Sequence, residues 1–326
     1  MIEIGLVYNL PVSAFPATER RYRHLLDKAA GKIPFRLRFF SLSSTNSLPG
    51  AARCFRNIGA DLRDFNCLNI DGLIVTGAEP RATSLPKESY WGALTELVDW
   101  AEANTHSTIW SCLAAHAAVL HLDGIERRRL AQKCSGMYNC SKVIDSWLTD
   151  GLRSSLKVSH SRLHELSESA LRDRGYQVLT KSRDAGVDIF AKRQRSQFFF
   201  FQGHPEYDSL SLQREYLRDI GRYLAGGQEY YPNIPERYFN SATTLALGEF
   251  RAWALAERNP ALIANLPKLA LMPSVIAAPE TTAVTIFRNW LRYLAQCKTG
   301  QKVQSEQQLV SIEDRQEAHR RNEADL

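Results

Sequence analysis

The chain predicts an α/β fold, a doubly wound and mostly parallel sheet, on three observations. Compact apolar runs at Ile2–Tyr8, Asp71–Gly77 and Thr108–Ser111 read as buried strands. Segments with helical apolar spacing stand between and after them, the alternation that a parallel sheet covered on both faces requires. Further on, Phe198–Phe201 is four consecutive phenylalanines closed by Gln202-Gly203, which reads as a central strand buried on both sides.

Each element follows from its own pattern. Ile2–Tyr8 is apolar and β-branched. Thr18–Ala30 has helical character, with Thr18 placed to cap it. Phe35–Phe40 alternates Phe and Leu with Arg, the period of a strand. Trp91–Ala103 repeats apolar residues at helical spacing (Trp91, Leu94, Leu97, Val98, Ala101). Thr108–Ser111 is a brief strand that leads directly into a helix at Leu113–Leu122. Residues 135–193 read as short strands and turns. Ser209–Ala225 is a helix closed by Gly226-Gly227, and further helices are expected at Thr243–Glu257 and Thr281–Gln296. The expected organisation is residues 1–240 as the main α/β domain, 241–297 as a helical extension packed on it, and 298–326 as a polar, disordered tail.

Composition narrows the function classes. Among 326 residues, 41 Lys and Arg against 35 Asp and Glu leave a net charge of +6. That surplus is mild and spread out, unlike the concentrated basic stripe that neutralises several phosphates, so no nucleic-acid partner is expected. The most apolar stretch, Leu269–Ala278, is short and interrupted by Pro273, so no membrane partner is expected either. Glu3 stands where a secretion signal carries basic residues, and the expected location is cytoplasmic. Six cysteines without a CxxC pair and eight scattered histidines give neither a disulfide framework nor a metal-ligand spacing.

Three segments could carry chemistry. In Ser107–Ala118, STIWSCLAAHAA, Cys112 sits where a strand turns tightly into a helix opened by small residues. Such an elbow exposes the side chain, and the helix N-terminus favours a thiolate. The Leu113 N–H would then be a natural oxyanion donor. The competing reading is a small buried cysteine acting as a hydrophobe. In FQGHPEYD, His204 and Glu206 are two residues apart and share a face if extended, which Pro205 encourages; a carboxylate so placed orients an imidazole. An incidental surface ion pair would give the same letters. VSHSRLHEL, residues 158–166, gathers histidines, serines and Arg162 and is equally compatible with a solvated loop.

Taken together and in order, NIDGLIVTGAEP, YWGALTELVDWAEANTHSTIWSC, KCSGMY, SHSR, AGVDIFAKR, GHPEYD and LQREYLRD resemble the homoserine O-acyltransferase family of methionine biosynthesis. The resemblance spans roughly residues 1–240. It implies a class I glutamine-amidotransferase-like (flavodoxin-like) fold and an acyl-enzyme route with Cys112 as nucleophile, His204 as general base and Glu206 orienting it. It also implies substrate-binding roles for Lys133, Ser161 and Arg218. Arg81 aligns with a position that is Gly or Glu in the family and is linked to acyl choice, so it is a candidate acyl-specificity residue. No bound cofactor or metal is implied. The resemblance implies succinyl-CoA or acetyl-CoA as co-substrate, homoserine as acceptor and a homodimer as the assembly. The succinyl donor is preferred over acetyl. Another hydroxylated amino acid as acceptor, or more remotely a cysteine-dependent amidase or glutaminase, is the alternative.

Overall fold

A computed structural model describes residues 1–9, 15–42, 55–57, 69–267 and 280–300. Its strands are β1 (Ile2–Tyr8), β2 (Phe35–Ser41), β3 (Phe55–Asn57), β4 (Gly72–Val75), β5 (Ser107–Ser111), β6 (Arg128–Lys142), β7 (Ser155–Glu165), β8 (Gln177–Ser182), β9 (Gly186–Arg193) and β10 (Gln197–Phe201). The helices are α1 (Phe15–Ala30), α2 (Trp91–Asn104), α3 (Leu113–Asp123), α4 (Glu168–Asp173), α5 (Ser211–Leu224), α6 (Ser241–Glu257) and α7 (Glu280–Lys298).

The strands form one ten-stranded sheet in the order β3-β2-β1-β4-β5-β10-β9-β8-β6-β7. From β3 to β10 every pairing is parallel; from β10 to β7 every pairing is antiparallel. The doubly wound parallel half is as expected. Within 135–193 the shorter strands β8 and β9 fit the expected pattern, but β6 and β7 run 15 and 11 residues and pair as a long antiparallel arm.

Burial explains the layers. Alternate phenylalanines of β10 serve opposite cores: Phe198 and Phe200 pack with α2 and α3, while Phe199 and Phe201 pack with α1 and α7. All four are essentially fully buried, as a strand apolar on both faces requires. Trp290 of α7 lies in the second core and donates its indole N–H to Ser107 Oγ at 3.0 Å. A third cluster joins α5 and α6 through Tyr216, Tyr223, Phe250 and Tyr238.

Two boundaries differ from expectation. α1 begins at Phe15, so Thr18 is a buried residue inside the helix rather than its cap. α5 ends with Gly226 in the left-handed region (φ 80°), and the Gly226 and Gly227 amides bond back to Tyr223 and Arg222, as the double glycine indicated. The apolar stretch Leu269–Ala278 and the tail beyond residue 300 lie outside the described residues.

Candidate active site

β4, β5 and β10 are parallel neighbours with β5 between the other two, so their carboxyl ends lie side by side. Ligands bind at that edge in open α/β sheets. Cys112 leaves the end of β5 with φ 52° and ψ −115° and opens α3. A non-glycine residue in that region is strained by roughly 1–3 kcal/mol and persists only where its surroundings hold it. Here the Cys112 amide donates to the Phe201 carbonyl of β10 at 2.7 Å, and the Cys112 carbonyl accepts from Ala115 and His116 in the first turn of α3. The thiol is half-buried, not enclosed. Leu113 follows at the first position of α3, where backbone N–H groups have no acceptor within the helix.

The other flank comes from the end of β10. The His204 amide donates to the Ser159 carbonyl of β7 at 2.7 Å, which seats the loop against the antiparallel arm. His204 Nδ1 lies 2.8 Å from Glu206 Oε1, and both side chains are buried. Burial alone would lower the imidazole pKa. The negative charges of Glu206 and Cys112, with Glu206 also hydrogen-bonded to Nδ1, outweigh it and hold His204 well above the ordinary histidine range. The ring thus bonds a carboxylate through Nδ1 and feels the charge of the elbow sulfur, an arrangement that a Cys–His–Glu triad would use.

The remaining expected residues gather beside it on the arm and on α5. Lys133 Nζ lies 2.7 Å from Asp219 Oδ2 and 3.7 Å from Glu215 Oε2. Ser161 donates to Glu215 Oε2. Arg218 bonds Asp219 Oδ1 through Nε and Nη2 at 3.0 and 2.8 Å, leaving much of its guanidinium exposed. Burial would raise both carboxyls, but the cations and donors around them dominate and hold Glu215 and Asp219 below the usual carboxylate range.

Arg81 stands apart. It is exposed on the loop after β4, where the Arg81 and Ala82 amides both donate to the buried Glu88 at 2.7 and 2.8 Å. Arg127 is half-buried, and burial lowers its pKa against the charges of Tyr90, Glu88 and Cys112. The neighbouring loop residue Glu79 makes a two-point ion pair with Arg222 of α5 at 2.7 and 2.9 Å.

The homoserine O-succinyltransferase family model matches residues 1–301. A homoserine O-succinyltransferase of Rhodopseudomonas palustris is 55% identical over 90% of this chain and 89% of its own length. The chain belongs to the homoserine O-succinyltransferase family. A second relative of that description, from Bradyrhizobium japonicum, is 53% identical over 90% of each chain. A solved glutamine amidotransferase of Methylobacillus flagellatus is similar at 15% identity and a TM-score of 0.49, over 90% of this chain and 94% of that one.

Beyond the residues the motifs pointed to, Glu215, Asp219 and Tyr207 stand in the same cluster of contacts. Glu215 and Asp219 are one helical turn apart on α5 and flank Arg218, so their spacing places them on one face. That signal was present in LQREYLRD. Tyr207 carried none, since nothing in the letters says that its ring packs on His204.

Proposed function

We propose that this protein transfers a succinyl group from succinyl-CoA to the hydroxyl of homoserine through a thioester on Cys112. The observation that carries the proposal is the elbow cysteine whose charge acts on a buried imidazole that Glu206 holds through Nδ1. The family membership supplies the substrates.

In the first half-reaction Cys112 Sγ attacks the thioester carbonyl. Negative charge develops on the carbonyl oxygen and is met by the Leu113 N–H at the start of α3. The carbon–sulfur bond to CoA breaks, and His204 gives a proton to the departing thiolate. One thioester replaces another, so little bond energy changes. In the second half-reaction His204 takes the proton of the acceptor hydroxyl, whose oxygen attacks the acyl carbon and expels the Cys112 thiolate. Glu206 keeps Nδ1 bonded throughout, so Nε2 is the nitrogen that exchanges protons.

Lys133, Ser161 and Arg218, with Glu215 and Asp219 among them, form the acceptor subsite: cations for a carboxylate, carboxylates for an ammonium. Arg81, or the half-buried Arg127 whose charge is coupled to Cys112, pairs with the free carboxylate of the succinyl group. No bound cofactor takes part. No helix among the described residues is long and apolar enough to cross a membrane, and the same reading makes the protein a cytoplasmic enzyme that works as a homodimer.

Release of free CoA, followed with homoserine present, tests the proposal. Turnover with succinyl-CoA well above that with acetyl-CoA is expected. Faster turnover with acetyl-CoA would reassign the donor, and turnover only with another hydroxy amino acid would reassign the acceptor.

A further inference from the structure

We propose that Tyr207 is a positioning residue for the catalytic imidazole, a plate stacked on His204 and tied down through its hydroxyl to Glu215. The inference rests on the catalytic role proposed for His204. The two rings stack with centroids 4.1 Å apart and planes at 19°. On the Tyr207 ring also lies the guanidinium carbon of Arg21, 5.2 Å from the centroid. The Tyr207 hydroxyl donates to Glu215 Oε1, while Ser161 donates to Oε2 of the same carboxylate and Lys133 lies 3.7 Å from it. The Arg21 Nε is enclosed without a hydrogen-bond partner among the described residues, so its guanidinium meets this ring through packing.

Geometry gives the plate two tasks. Glu206 holds the imidazole at Nδ1, and a hydrogen bond at one atom leaves the ring free to swing about it; a flat neighbour removes that freedom. The face of an aromatic ring also attracts a cation, so Tyr207 favours the imidazolium form. Because the plate is anchored to the carboxylate that Lys133 and Ser161 share, the acceptor subsite and the base are one connected unit. The charged and titratable groups acting on His204 are Glu206 on its own loop, Cys112 at the elbow, His160 on β7 and Glu215 on α5.

The test follows His204 itself, by nitrogen NMR of histidine-labelled protein across pH, alongside kcat. It needs no substrate for the titration, so it reads the plate even if the donor or acceptor is reassigned. In Y207L the His204 midpoint should fall by about one unit and kcat should drop roughly tenfold. In Y207F the ring remains but its anchor is lost, and kcat should fall severalfold with a smaller change in midpoint. A wild-type midpoint in folded Y207L would overturn the plate. A wild-type kcat in Y207F would overturn the anchor, and that variant decides alone if Y207L does not fold.

Discussion

A β-carbon built on Gly77 would lie 2.7 Å from the Leu113 amide nitrogen and 3.1 Å from the Ser111 carbonyl oxygen. The backbone after β4 therefore touches the elbow at the Leu113 amide, the proposed oxyanion donor. Neither contact is with a flexible side-chain end, so relief requires the elbow itself to move. G77A is expected to fold with a loss of about 1–3 kcal/mol and to lose on the order of a hundredfold in kcat, as removal of an oxyanion donor does. Denaturant unfolding and steady-state kinetics check the two separately, and full activity in the variant would remove Leu113 from the oxyanion role.

Glu206 and Cys112 together keep His204 charged against its burial. E206Q preserves shape but removes one of those charges and changes which tautomer the ring prefers. A fall in kcat of about a hundredfold or more is expected. The pH profile should move as well: with its pKa lowered, His204 loses its proton at lower pH, and the alkaline limb of the acylation rate shifts down. A wild-type profile with reduced rate would assign Glu206 a purely steric part.

His116 lies buried on α3 with Nε2 3.0 Å from Gln202 Oε1, and burial, helped by the Arg162 charge, pushes its pKa down to about 3. The sign follows from which state takes up the proton first. Below about pH 6.5 the unfolded chain protonates this histidine while the folded one does not. Stability attributable to His116 is thus complete above that pH and is lost as pH falls toward 3, by up to about 1.4 kcal/mol per unit. H116Q should flatten the acid limb of a stability-against-pH curve without abolishing it, since His160 and His164 are also held down by burial. An unchanged slope between pH 6 and 4 would contradict it.

Much of the fold was legible because its strands are short, apolar and separated by amphipathic helices. The phenylalanine run of β10 shows this best, each successive ring serving the opposite core. The long β6–β7 arm was not legible. Its residues Arg128–Lys142 are largely polar and partly exposed, so no alternation marks them as strand; pairing with β7 fixes them. In the site, Cys112 and His204 were visible through local turn chemistry and through the ordered motifs. The link between them was not, since it depends on β5 and β10 being neighbours in the sheet. Tyr207 and Glu215 depend in the same way on how α5 docks.

Arg81 and Arg127 make different demands on donor choice. If Arg81 pairs with the succinyl carboxylate, R81G should lower kcat/KM for succinyl-CoA by about tenfold or more while leaving acetyl-CoA nearly unchanged. If Arg127 does so, R127Q carries that effect and R81G does not. Parallel kinetics with both donors separate the two, and equal losses on both donors in both variants would remove either arginine from selectivity.

Trp290 ties α7 into the core beneath β5. W290A should cost about 3–5 kcal/mol from the cavity it leaves, with the Ser107 hydroxyl losing its donor as a further penalty. W290F, which fills most of the space, should cost distinctly less. Urea unfolding midpoints of the two variants give the comparison, and similar small losses in both would show α7 to be peripheral to the fold.

The most direct measurement is intact-protein and peptide mass spectrometry after mixing the enzyme with succinyl-CoA and no acceptor. A single succinyl group on Cys112 is expected, bound as a thioester and discharged to O-succinylhomoserine when homoserine is added. Absence of that label, or a label that homoserine leaves in place, would contradict transfer through this sulfur.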